Sequence, residues 1–144
     1  ISSTFWTERI GFVAANKTID FIKKNKTYKL LIKNGKYLNS KWLELSKKYN
    51  LKIKIKGIES ITSFEFKKNN LLYRTFISQE MLRYGYLASN LVYISIHHNQ
   101  KTINRYIYFL DKIFARIKLH QNSKIKYKIL KGNIAHSTFE RLTD

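Results

Sequence analysis

The densest run of groups able to do chemistry is the opening stretch, Ile1-Ser2-Ser3-Thr4-Phe5-Trp6-Thr7-Glu8-Arg9-Ile10-Gly11. Three consecutive hydroxyl side chains just ahead of a helix, with the free backbone N–H groups of its first turn, suit an anion such as a phosphate. The competing reading is plain capping: Thr7 as N-cap, Glu8 in a first turn where negative charge suits the helix dipole, and the serines as turn residues. Ordinary termini are polar and poorly ordered. A chain that starts on Ile in so rich a segment is expected to be part of a longer one. A second place is Ser89-Asn90, followed by Ser95 and the adjacent His97-His98 pair. The competing reading there is architecture, a strand running into a capped helix.

Elsewhere the reactive residue types are present but not assembled. There is no Cys, so disulfides, thiolate metal sites and thiol nucleophiles are excluded. Of four histidines, His97 and His98 are adjacent and would point to opposite faces of a strand, a poor chelate; His120 and His136 are remote. The nine carboxylates are scattered, and no glycine-rich phosphate loop occurs. A self-contained hydrolase or kinase therefore has little support, and no metal site is expected.

The elements that must position these residues are legible from periodicity. Ile10, Val13, Ala14 and Phe21 share one helical face, widened by Phe12, Ala15, Ile19 and Ile22. A helix apolar over so much of its girth is expected to be largely buried at its start and to end at Lys23-Lys24-Asn25-Lys26. Thr27 is expected to cap a long amphipathic helix carrying Tyr28, Leu31, Ile32, Gly35, Leu38, Trp42, Leu45 and Tyr49, closed by Asn50. Gly35 lies inside that stripe, which implies close packing against a neighbour, because glycine otherwise weakens a helix by about 1 kcal/mol.

The period then changes to two. Leu51, Ile53 and Ile55 alternate with Lys52, Lys54 and Lys56 in a strand with one wet face, which Gly57 is expected to break. Ile61 to Phe66 is a second strand with Phe64 and Phe66 on one side, and Lys68-Asn69-Asn70 is a turn. Phe76, Ile77, Met81, Leu82 and Tyr84 predict a helix stopping at Gly85. Leu91 to His97 is a third strand, and Asn99 caps a last helix with Ile103, Ile107, Leu110, Phe114 and Ile117 in one stripe. This order predicts an α+β fold: a small three-stranded, mainly antiparallel sheet with helices on one face, preceded by a long linking helix. The tail from Gln121 to Asp144 is weakly periodic, with Ile125, Tyr127, Ile129 and Leu130 expected to dock on a partner.

Composition bounds the partners. The 144 residues, 44% hydrophobic and 15% aromatic, suffice for one domain with a real core. A net charge of +19 is the usual footprint of nucleic-acid binding. However, Lys, Asn, Ile, Tyr and Phe are abundant together, Gly is scarce and Pro absent, and the lysines spread over every segment. That joint bias reads as an A/T-rich genome writing lysine wherever it is tolerated, so a basic nucleic-acid-binding module is the weaker reading. No apolar run approaches a membrane span and no signal-peptide pattern is visible, so a soluble cytoplasmic protein is expected.

Ser3-Thr4-Phe5 followed by Gly11-Phe12-Val13-Ala14-Ala15 resembles the passage after the Schiff-base lysine in class III pyridoxal-phosphate aminotransferases, and the Trp6-Thr7-Glu8-Arg9-Ile10-Gly11 version resembles members acting on sugar or other unusual substrates. The glutamate-1-semialdehyde aminotransferase-like branch is the nearest in character. Met81-Leu82-Arg83-Tyr84-Gly85-Tyr86-Leu87 resembles that family's glycine-ended helix. Ser95-Ile96-His97-His98-Asn99 with Ile103 and Leu110 resembles its strand, histidine turn and last helix. His136-Ser137 and Phe139-Glu140-Arg141-Leu142-Thr143 resemble a tail found on some members.

The resemblance implies the C-terminal portion of a fold-type-I enzyme. Residues 1–26 would be the end of the large cofactor-binding domain and the linking helix, 27–120 the small domain, and 121–144 a tail. It implies pyridoxal 5'-phosphate in the complete enzyme, a homodimer, and an amino donor and a carbonyl acceptor as small-molecule partners. Ser3 and Thr4 would lie at the cofactor phosphate of the neighbouring subunit. The Schiff-base lysine would lie upstream, so no residue of this chain is assigned to catalysis and the chain alone is expected to be inactive. Leu91 to His97 lacks the arginine that some members use on a substrate carboxylate, and Asn90 stands where the aminomutase has an acidic residue. Ser89 and Asn90 would then face a hydroxyl-rich, sugar-like substrate. A degenerate fragment kept for interaction is the further alternative.

Overall fold

A computed structural model describes residues 8–123 and 128–136. The elements run α1 (Arg9–Asn25), α2 (Thr27–Lys48), β1 (Ile53–Ile58), β2 (Ile61–Phe66), α3 (Asn70–Arg83), β3 (Leu91–Tyr93) and α4 (Gln100–Asn122). The strands form one antiparallel sheet in the order β1-β2-β3, with Ile55 opposite Phe64 and Thr62 opposite Val92. Helices α2, α3 and α4 cover one face, so the α+β architecture expected from the sequence is present.

The covered face is aromatic. Alternation along β2 turns Thr62, Phe64 and Phe66 inward, and all three are buried. Phe64 meets Trp42 of α2 and Phe114 of α4 edge-on, with centroids 4.8 and 5.8 Å away; Phe66 meets Tyr73 of α3 at 5.3 Å. The few polar groups drawn into this layer are satisfied: Trp42 Nε1–H donates to Tyr106 Oη (3.3 Å), and Thr62 Oγ1 donates to Asn39 Oδ1 (2.7 Å). The opposite face carries Lys54, Lys56 and Glu65, the last two paired at 2.7 Å.

Several local expectations change. The first helix starts at Arg9 with Glu8 in the cap position and no side-chain capping bond, so Thr7 is not the N-cap; Thr7 itself lies outside the described residues. Thr27 is likewise not a cap: Lys26 takes that position in a left-handed conformation, and Thr27 is the first helical residue, buried. Gly57 does not break β1. Its φ of +87° lets the strand continue to Ile58, and a Cβ added at Gly57 itself would stand 2.2 Å from the Ile61 carbonyl oxygen.

The third strand ends at Tyr93 rather than His97. Beyond it, Ser95 N–H donates to His98 Nδ1 and His97 N–H to Ser95 Oγ, which turns the backbone out of the ladder. Helix α1 has no buried residue and touches only α2 among the described residues. The burial expected of it is absent among the described residues, where no other element packs against it, and Ile10 is 76% exposed. Ile129 and Leu130 dock on this chain's own core rather than on a partner; Ile125 and Tyr127 lie outside the described residues.

That docking uses α3 as a rail. Gln79 Oε1 accepts from Lys131 N–H (2.7 Å), Thr75 Oγ1 from Ala135 N–H (3.1 Å), and Arg74 donates to the His136 carbonyl (3.4 Å). Next to Gln79, the Glu80 carboxylate is only 2% exposed and is held by Gln79 Nε2–H (2.9 Å), Arg83 (3.0 Å) and Arg116. Burial pushes the Glu80 carboxyl up, but the Gln79 hydrogen bond and the Arg116 and Arg83 charges outweigh it and hold the group below the ordinary range. A carboxylate so held stabilises the fold above its unfolded value of about 4.3. That contribution is lost as the pH falls through the lower folded value.

Two outcomes are expected. Glu80→Ala lowers stability by about 1–3 kcal/mol at neutral pH, because two partly exposed guanidinium groups lose their shared acceptor. Its urea midpoint should also fall less steeply with acidification below about pH 4.3 than the parent's. Gly35→Ala would set a Cβ 1.8 Å from the Glu59 carbonyl oxygen at the β1–β2 hairpin. The clash outweighs about 1 kcal/mol of gained helix propensity, for a net loss of about 2 kcal/mol in the same assay.

Candidate functional site

The residues singled out between α3 and α4 gather at the free edge of β3, and local chain chemistry puts them there. Helix α3 ends in a Schellman arrangement: Gly85 (φ +79°) donates to the Leu82 carbonyl and Tyr86 to the Met81 carbonyl, each at 3.0 Å. The left-handed glycine reverses the chain, and Tyr86-Leu87-Ala88 runs back along the domain towards β3.

Asn90 then locks the segment to the sheet. Its carbonyl accepts from Phe64 N–H (3.0 Å), and its side-chain Nδ2–H donates to the Phe64 carbonyl (2.8 Å). Ser89 Oγ donates to Asn90 Oδ1 (3.2 Å). The pair therefore spends one amide hydrogen and the serine hydroxyl hydrogen inside the domain. One Asn90 amide hydrogen and the Ser89 oxygen lone pairs keep unassigned capacity. Ser89 lines a shallow depression of about 450 Å³ together with Ser78, Leu82, Leu87, Leu91 and Tyr93.

On the other side of the same segment is a cleft of about 310 Å³ between Tyr86-Leu87-Ala88, β3 and the start of α4. Its walls are mainly apolar, with Leu38, Ile94, Ile103 and Tyr106 at its base, and His98 and Thr102 supply polar groups. Burial pushes the Tyr106 phenol far up, so it stays neutral. His98 is held from two sides: its Nδ1 accepts from Ser95 N–H (3.0 Å), and its carbonyl accepts from Asn34 Nδ2–H of α2 (2.8 Å). Asn99 caps α4 by accepting from Thr102 N–H (2.9 Å), as its position in the sequence predicted.

Sequence reasoning found Ser89, Asn90 and His98 but not the cleft beside them. Leu87 and Ala88 fall in neither a helical stripe nor an alternating strand. The one signal was an apolar Leu87 two residues after the helix-ending Gly85, and it is 97% exposed. Ser3 and Thr4 lie outside the described residues. Among the described residues no group of three or more His, Asp or Glu is placed to hold a metal, and no helix is long and apolar enough to cross a membrane.

No protein-family profile matches the chain, and no curated protein sequence matches it. Among solved structures, the fold is similar to the pyridoxal-phosphate (PLP) internal aldimine form of the FumI protein of Sphingopyxis sp. MTA144, with a TM-score of 0.74 and 18% sequence identity. The likeness covers 85% of this chain and 30% of that one, so the chain spans less than a third of that protein's length. At this identity the likeness is one of fold.

The described residues do not by themselves fit a pyridoxal cofactor. A Schiff-base lysine needs a desolvated setting that lowers its pKa. No lysine among the described residues is buried. Lys41, Lys48 and Lys112 are instead raised, chiefly by hydrogen bonds to Glu44, Asp111 and Tyr108 respectively.

Because Asn90 ties β3 to β2 through its side chain, Asn90→Ala in this chain should lose about 1 kcal/mol of stability. Ser89→Ala, which removes only a donor to Asn90, should lose less. Urea midpoints of the two variants check the ordering.

Proposed function

We propose that this chain is the C-terminal segment of a PLP-dependent enzyme of the class III aminotransferase type, acting in transamination or aminomutation of an aldehyde or keto substrate. The observation that carries the reading is the fold likeness over most of this chain to less than a third of a PLP protein. It agrees with a sequence resemblance drawn from separate motifs. In this reading, residues 1–26 end the large cofactor-binding domain and link it onward, residues 27–120 form the small domain, and residues 121–144 follow as a tail. The cofactor supplies the electron sink for amino-group chemistry.

The roles open to this chain's own residues are binding roles. Ser3 and Thr4 would donate hydroxyl hydrogen bonds to the cofactor phosphate of the neighbouring subunit, which makes the active protein a homodimer. Ser89 and Asn90, anchored to β2, would offer their remaining hydrogen-bonding capacity to a hydroxyl-rich substrate, with an amino donor as the second small-molecule partner. The exposed apolar girth of α1 supports the same reading, because such a helix needs a covering that no described element supplies.

The test is whether cofactor chemistry needs a second segment. The reading frame is expected to continue upstream of Ile1 into a segment bearing a cofactor-binding lysine. The joined chain should then retain PLP through gel filtration, while residues 1–144 alone should not. A stop codon directly upstream, or a covalent cofactor adduct mapped to a specific site on one of the lysines of residues 1–144 and surviving gel filtration, would overturn the proposal.

A further inference from the structure

The cleft at the free edge of β3 has a use that does not depend on the cofactor reading. Its His98 is preorganised. Because Nδ1 accepts the Ser95 N–H, the neutral ring must carry its proton on Nε2, leaving one defined donor and no free ring acceptor. The Asn34 bond to the His98 carbonyl and the Asn99 N–H bond to the His97 carbonyl (2.9 Å) hold the turn that carries the ring. Among the described residues no carboxylate lines the cleft, and its other titratable groups are tyrosines. The chain around it carries a net charge of +19, a field that favours anions and disfavours cations.

A half-open, mainly apolar cleft of about 310 Å³ with His98 in its lining is sized for a compact ligand rather than for a large cofactor. We propose that this cleft binds a small organic acid with an aromatic or branched apolar body. The body lies between Tyr86, Ala88, Val92 and Ile103, and one carboxylate oxygen accepts from His98 Nε2–H. Thr102 Oγ already donates to Asn99 Oδ1 (3.2 Å), so it adds no second donor, and selectivity for the acid rests on His98.

The experiment is an amide chemical-shift titration of the full 144-residue chain with 3-phenylpropionate and, separately, with 3-phenylpropylamine, which keeps the body and reverses the charge. The acid should give saturable shifts confined to residues 86–94 and 98–106, and the amine none. His98→Asn keeps an acceptor for the Ser95 N–H and removes the reach of Nε2; it should weaken acid binding about tenfold, the size of one charge-assisted hydrogen bond. Ala88→Phe should abolish binding by filling the cleft, with the dispersion of the remaining amide signals showing that the variant is folded. Equal responses to acid and amine, an unaltered affinity in folded His98→Asn, or the absence of saturable shifts at these residues would each overturn the proposal.

Discussion

The contact on which the rest of the domain depends is the aromatic cluster built around Phe64. Its ring is met edge-on by Trp42 from α2, Phe66 from its own strand and Phe114 from α4, while Phe66 carries the contact on to Tyr73 of α3. One inward-facing strand thereby touches every helix that covers the sheet. Removing a ring from such a cluster costs about 3–5 kcal/mol in comparable cores, a large share of the stability of a domain this size. The same residue's backbone also sets the site. Phe64 bonds Asn90 through both its N–H and its carbonyl, so the core strand and the segment leading to the cleft share one register.

Charge is distributed by a different logic. The strongly basic composition leaves most lysines on the surface, where ion pairs such as Lys41–Glu44 are exposed and contribute little. The acidic group that matters structurally is Glu80, which is buried and shared between Arg83 and Arg116. Gln79 beside it serves both this carboxylate and the backbone of the returning tail. The described residues 129–136 therefore pack on the domain through α3 and its core.

Helix α1 stands apart. It is apolar over much of its girth, in contact only with α2 among the described residues, and joined to it through a left-handed Lys26. Its apolar residues Ile10, Phe12 and Val13 are all exposed among the described residues.

Much of the fold was legible in the residues themselves. The bounds of β2, the cap at Asn99, the glycine stop at Gly85 and the tight packing at Gly35 follow from alternation, capping chemistry and the lack of a Cβ, all of which act over a few residues. Ser89, Asn90 and His98 were also singled out by type and position. Other features were settled only by contacts between distant segments. The turn after β3 is pinned to α2 because Asn34 donates to the His98 carbonyl. Ile129 and Leu130 turn inward because α3 offers bonds to the tail, and the cleft exists because Tyr86 to Ala88 returns alongside α4. Local chemistry determined which residues are able to build each element. Only tertiary packing decided which polar groups were already spent and which space was left open, because both depend on groups far apart along the chain.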